Sequence, residues 1–191
     1  MWKITKCCFF AAVLFTFASC DKKVSKKTEV PNRTDSASKQ EVNNAALVEQ
    51  VEYEKYTGAW FTVEFPGNFS VTPSLQSTTR TEGYDSVVFT SPDGKVQFYI
   101  FSPQWSGIAT DIALQAGEEE TEHTTDTENG LTVERWTIKA DNGQYSRSYE
   151  STSETGGINK IFGILYLSSE DLERYRAEYL HFKNSLQQYA D

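Results

Sequence analysis

From residue 59 onward the chain alternates between apolar and polar positions. Residues 59–65, AWFTVEF, place Ala59, Phe61, Val63 and Phe65 on one side of an extended backbone and Trp60, Thr62 and Glu64 on the other, the period of a half-buried strand. Pro66-Gly67-Asn68 turns the chain, and residues 69–72 predict a short second strand. SVVFT (86–90), the turn residues Ser91-Pro92-Asp93-Gly94 and KVQFYIF (95–101) predict a hairpin closed at Asp-Gly. A polar strand over 118–127 follows, then turns at Glu128-Asn129-Gly130 and Asp141-Asn142-Gly143 separate it from strands at 131–140 and 144–151. INKIFGILYL (158–167) is the most apolar of these runs and is expected at the centre of the sheet. The pattern predicts one antiparallel meander of about six to seven strands.

The period then changes. Ser168 fits a helix N-cap with Asp171 as its N3 partner, and Leu172, Tyr175, Tyr179, Phe182, Leu186 and Tyr189 follow at spacings of three and four. One helix carrying this stripe onto the sheet is expected. A second, short helix is expected over residues 110–116, TDIALQA, on the other face. A short helix over 41–53 is a further reading of the irregular apolar spacing there. Strands and helices in this order predict the α+β class, an antiparallel sheet flanked by helices.

FTVEFPGNFSV (61–71) resembles the opening of the PsbP-like superfamily, where an apolar-alternating strand meets an aromatic-Pro step and a short strand. The SPDG hairpin, the later strands and the closing YLHFKNSL fall in the order of that α/β/α sandwich. The resemblance covers residues 57–191. It implies a non-catalytic binding or assembly module, and fold-level likeness does not choose the partner.

The N-terminal residues read differently. Two lysines, an apolar run of about a dozen residues and the small pair Ala18-Ser19 make residues 1–19 a signal peptide, since a membrane-spanning helix needs about 20 apolar residues. Phe17-Ala18-Ser19-Cys20 resembles the lipobox of bacterial lipoproteins, with Phe17 where Leu is usual. That resemblance implies lipid on the Cys20 thiol, cleavage before it, and a protein anchored in the bacterial cell envelope outside the cytoplasm, facing the periplasm or the exterior. Two or three acyl chains make a lasting anchor where one binds reversibly. An ordinary signal peptide with an incidental cysteine is the alternative. Residues 20–56 are rich in Lys, Ser, Thr, Asn and Glu and read as a flexible tether, with Lys22, Lys23, Lys26 and Lys27 beside the anchor and available to an anionic leaflet. Residues 57–191 are then the folded domain.

Charge and cysteine use narrow the function. The 191 residues carry a net charge of -9. From Thr57 onward nine Lys and Arg stand against twenty Asp and Glu, a net -11, which phosphate backbones repel, so no nucleic-acid partner is expected. Cys7, Cys8 and Cys20 all precede the domain, leaving it without a disulfide, a thiolate metal site or a cysteine nucleophile. No phosphate cradle or dinucleotide motif implies a cofactor, and no catalytic residues are assigned. The domain is expected to bind an envelope protein or a small ligand, with Trp105 in SPQWSG (102–107) as the candidate contact; a ring folded back over the sheet edge is the other reading. The alternative function is an envelope hydrolase or metal-dependent enzyme built on GEEETEHTTDTE (117–128). There a regular strand would set Glu118, Glu120 and Glu122 on one face, with His123 nearby, as oxygen and imidazole ligands. An acidic edge strand that resists aggregation explains the same residues without a metal.

Overall fold

A computed structural model of the chain describes residues 51–79, 82–105, 107–154 and 157–189. Five strands come first: β1 (Tyr53–Thr57), β2 (Phe61–Pro66), β3 (Ser70–Pro73), β4 (Ser86–Thr90) and β5 (Val96–Phe101). A 3-10 turn at Thr110–Ile112 precedes β6 (Glu118–Glu128), β7 (Leu131–Ala140), β8 (Ser146–Glu154) and β9 (Gly157–Tyr166). The chain closes with α1 (Ser169–Arg174), α2 (Arg176–Asn184) and β10 (Gln187–Gln188). The fold is α+β, with a seven-stranded antiparallel sheet of order β3-β4-β5-β9-β8-β7-β6 and a three-stranded sheet of order β1-β2-β10.

The expected turns form where the residue types demand them. Gly94, Gly130 and Gly143 take φ of +70°, +82° and +69°, and Asn129 takes +52°. Positive φ at both Asn129 and Gly130 is the requirement of a tight hairpin turn between β6 and β7. The apolar strand β9 lies in the middle of the seven, sending Phe162 and Ile164 into one core and Ile161 into the other.

The single meander is corrected in its first part. Phe61, Val63 and Phe65 are all buried on one side of β2 and pack with Phe89, Phe98 and Phe162 of the large sheet, so this strand covers that sheet and does not extend it. Residues 53–56, read as the end of a helix and of the tether, form β1 on β2: Tyr56 pairs with Val63, and its ring meets Phe89 edge-on at 5.7 Å. Two half-buried tyrosines among charged residues carried too little period to be recognised.

The C-terminal helix keeps its cap but not its length. Ser168 accepts the Asp171 amide at 3.1 Å and donates its hydroxyl to Asp171 Oδ2 at 2.7 Å. The helix breaks at Tyr175, and α2 ends at Asn184, where the Ser185 hydroxyl donates to the Phe182 carbonyl (2.8 Å) and accepts the Glu64 amide (2.8 Å). That cross-link turns the chain into β10. Tyr189, placed by sequence on the helical stripe, instead donates its hydroxyl to the Gly58 and Phe61 carbonyls. Leu172, Tyr175, Tyr179, Phe182 and Leu186 do pack on the core, with Phe182 fully buried among Phe89, Phe98 and Phe162.

The opposite face of the large sheet holds a second core of Tyr99, Phe101, Ile138, Tyr149 and Ile161, covered by Ala109 and Ile112. The expected helix over 110–116 is reduced to the three-residue turn, after which the chain becomes extended at Ala113 (φ -55°, ψ 150°). The Arg147 guanidinium donates to the carbonyls of Ile112 and Ala113, both at 3.0 Å, and holds this turn against the sheet. Asp111 is held in the same way, accepting from the Ser86 and Tyr99 hydroxyls at 2.7 and 2.8 Å. Arg147 also donates to both oxygens of Glu118, at 2.8 and 2.5 Å, in a pair whose side chains are only 6% and 2% exposed. Burial opposes the Glu118 charge, but Arg147, the Gln115 amide and the Tyr145 hydroxyl hold its carboxyl below the usual range.

Breaking a buried ion pair from one side leaves the other charge unpaired. Arg147→Met is therefore expected to destabilise the domain by about 3–5 kcal/mol. Urea denaturation checks this, and a loss below about 1 kcal/mol would mean that Glu118 finds water instead.

Candidate functional site

Three chain segments cross beside the start of β4. The Asp85 amide donates to the Leu75 carbonyl (2.8 Å), and the Asp85 carbonyl accepts the Ser102 amide (2.8 Å). The Ser86 hydroxyl accepts the Leu75 amide at 2.9 Å while donating to Asp111. The Trp60 indole donates to the hydroxyls of Ser77 and Thr79, at 3.2 and 2.9 Å, and clips the 75–79 segment to the residue preceding β2. With its peptides tied on both sides, Asp85 cannot move away from this crossing.

Between these segments and the loop after β5 lies a cleft of about 250 Å³, lined by Thr78, Asp85, Phe101, Trp105, Ile108 and Thr110 among others. The loop can run close over Phe101 because residue 107 is glycine; a Cβ there would stand 2.9 Å from the ring. Trp105 is 69% exposed and Ile108 79%, whereas Asp85 is 7% exposed. The Asp85 Oδ1 atom is buried and has no hydrogen-bond partner. Burial pushes the Asp85 carboxyl above the usual carboxylate range, with the Ser77 hydroxyl and the Thr78 amide acting in the other direction. Trp105 also lines a second cleft of about 220 Å³ with Trp60, Asn159 and Gln188, so one indole forms a wall of both. An exposed aromatic face beside a desolvated carboxylate is suited to holding a ligand by stacking and charge.

Sequence reasoning found Trp105 and missed Asp85. An acid immediately before an apolar strand reads as a solvated loop residue; only the long-range pairing of Leu75 with Asp85 and Ser86 shows that it is covered.

The residues of the enzyme reading are distributed elsewhere. A bulge between Glu120 and Glu122 breaks the alternation of β6, so Glu120 pairs with Ile138 and Glu122 with Thr137. The expected common face is thereby corrected: Glu118 and Glu120 lie on the Ile138 side with His123, and Glu122 lies on the other. His123 Nδ1 is 3.0 Å from Glu120 Oε1, and its ring stacks 6.2 Å from Trp136. His181 stacks on Tyr53 at 3.8 Å and hydrogen-bonds Glu64 at 2.8 Å, joining α2 to the small sheet. β6 is an edge strand of the large sheet. Elsewhere on the sheet, Lys183 and Arg135 both donate to Glu150 of β8, at 2.7 and 2.9 Å.

A roomier trough of about 600 Å³ lies beside Glu54, Asn68, Phe69, Tyr175 and Glu178. Glu178 has one oxygen without a partner, but its side chain is only partly buried, so its charge is not confined as that of Asp85 is. The signal peptide, Cys20, the lysine quartet and nearly all of the 41–53 helix lie outside the described residues. Among the described residues no helix is long and apolar enough to cross a membrane.

No family model matches the chain, and no curated protein matches it. Among solved structures, the chain is similar to cyanobacterial PsbP (CyanoP) from Synechocystis sp. PCC 6803, determined in solution. The alignment covers 78% of this chain and 99% of that one at 12% identity, with a TM-score of 0.45.

A carboxyl whose folded pKa is raised destabilises the fold at neutral pH and ceases to do so once the pH falls below its unfolded value, near 4. Asp85→Asn is expected to stabilise the domain at pH 7 by about 1 kcal/mol, with the gain shrinking as the pH falls toward 4. Melting temperatures of both proteins between pH 4 and 8 give the comparison; a constant difference would show that Asp85 does not carry the effect through its charge.

Proposed function

We propose that this chain is a lipid-anchored protein of the bacterial cell envelope whose domain is a non-catalytic binding module, with the Trp105 cleft as its ligand site. The exposed Trp105 ring above the confined Asp85 carboxylate is the observation that carries the binding reading. A side chain that buries a large apolar surface only when something covers it gains from a ligand, and a half-satisfied buried carboxylate gains again. The anchor reading rests on FASC with the basic start, the apolar run and the polar tether around it. The stretch between Cys20 and β1, about 32 residues, would if flexible let the module range roughly 30 Å from Cys20.

Intact mass of the protein from membranes tests the anchor. Loss of residues 1–19 with a lipid mass on Cys20 is expected, and Cys20→Ala should leave the membrane fraction. A mature chain without lipid would make this a diffusible secreted protein. The binding reading is tested by thermal shift with a panel of amines, sugars and short peptides. At a hundredfold excess over Kd a true ligand stabilises by about 2.7 kcal/mol, a shift of several degrees. At least one class should produce that shift in the wild type and not in Trp105→Ala; a panel that shifts neither protein, or both equally, removes the cleft from the proposal.

A further inference from the structure

The chemistry of the cleft narrows its ligand, given the binding reading above. We propose that the Trp105 cleft takes a small organic cation, a protonated alkylamine, with its ammonium group beside Asp85 and its carbon chain against Trp105 and Ile108.

Five observations converge on an alkyl cation. Asp85 is 7% exposed and its Oδ1 atom has no hydrogen-bond partner. Asp85 lines the cleft, and once its side chain turns to bring Oδ1 to the cleft, the carboxylate is satisfied by a group that donates a hydrogen bond and carries opposite charge; an ammonium does both. The 69% exposed indole of Trp105 lines the same cleft, and the face of a tryptophan ring is the strongest side-chain partner for a cation. The remaining wall is apolar at Phe101 and Ile108, which suits a short alkyl chain. Among the described residues that line the cleft none is Lys or Arg, so no described side chain there already supplies the missing charge. The domain's net -11 then raises the local concentration of cations and lowers that of anions.

A neutral polyol is the rival occupant, since hydroxyls can also stack on Trp105 and bond Thr78 and Thr110. The two differ in what Asp85 contributes. A hydroxyl still finds an acceptor oxygen when Asp85 becomes Asn, while an ammonium loses its counter-charge.

The experiment is calorimetric titration of the full chain, kept in detergent, with butylammonium, 1-pentanol and glucose. The melting transition of each variant serves as its folding control. Butylammonium should bind, and the neutral 1-pentanol of similar length should bind at least about tenfold more weakly. Asp85→Asn should weaken butylammonium about tenfold or more and leave 1-pentanol unchanged; Trp105→Phe should retain part of the affinity, and Trp105→Ala should lose several-fold more. Raising the salt from 50 mM to 500 mM should weaken butylammonium alone. Should Asp85→Asn fail to fold, the salt series and the 1-pentanol comparison still decide. Glucose binding that depends on Trp105 but not on Asp85 would overturn the cation inference while keeping a binding cleft. Equal affinity for butylammonium and 1-pentanol would also overturn it. No heat from any of the three would overturn it too, and only a Trp105-dependent shift elsewhere in the wider panel would then preserve the binding reading.

Discussion

One guanidinium organises the second face of the large sheet. Arg147 points from β8 into a region where it is nearly excluded from water, and a buried guanidinium is tolerated only when its donors are met. It meets the Ile112 and Ala113 carbonyls, the Tyr149 hydroxyl and both oxygens of Glu118. Those partners come from the turn at Thr110–Ile112, the residue after it, the first residue of β6 and Arg147's own strand. Arg147 therefore draws the connection between β5 and β6 down onto the sheet. Asp111, bonded to Ser86 and Tyr99, adds a second fixed point one residue away from Ile112. The connection is thus held at Ser102 on one side and at 111–113 on the other, and between them Trp105 is 69% exposed.

The two faces of the sheet are held by different forces. On the face toward α2, phenylalanine rings from β2, β4, β5, β9 and α2 pack at 4.7 to 5.8 Å, a dry aromatic core that is insensitive to pH and salt. On the other face a smaller apolar cluster lies beside a network of hydroxyls, carboxylates and Arg147. Gly163 in the central strand makes that second face possible: a Cβ there would stand 2.5 Å from the Tyr149 ring and 3.2 Å from the Tyr99 Cβ. With no cysteine inside the domain, packing supplies the first face and polar geometry orients the second. A site that needs defined polar groups belongs on the second.

Much of the sheet could be read from sequence because its information is local. Asn129-Gly130, Asn142-Gly143 and Asp93-Gly94 each announce a hairpin, and strands joined by hairpins are placed by their neighbours in the chain. The long-range arrangements were not legible. Nothing within AWFTVEF distinguishes a strand that extends a sheet from one that lies across it, and a two-residue strand at Gln187–Gln188 has no period at all. Tertiary contacts also overrode the pattern in 110–116, where Arg147 holds the carbonyls of a short turn, and at Thr121, where a bulge reversed the faces of the acids that follow. Trp105 was legible as a candidate because tryptophan between Pro and Gly is conspicuous. Asp85 was not, since its burial comes from residues 75–79 and 101–105, six to twenty positions away.

The distribution of the acids gives that omission its weight. The domain carries far more carboxylates than cations, yet its enclosed acids have partners: Glu118 has Arg147 and Tyr145, Glu150 has Lys183 and Arg135, and Asp111 has Ser86 and Tyr99. Asp171 has Ser168 and Lys95, and even the hairpin acid Asp93 has Ser91 and Arg174. A chain that satisfies its charges this consistently is one in which local and global choices agree. Among the described residues two acids break the rule, each with one oxygen lacking a partner: Glu178, which is partly buried, and Asp85, whose residue is almost wholly buried and whose backbone is tied on both sides. A buried charge left incomplete destabilises the fold and contributes nothing to packing that an asparagine or a leucine would not supply more cheaply. Its place in the cleft beside the exposed Trp105 gives the incomplete charge a use: the hydrogen bond missing from Asp85 and the surface left bare on Trp105 are two halves of one complementary contact.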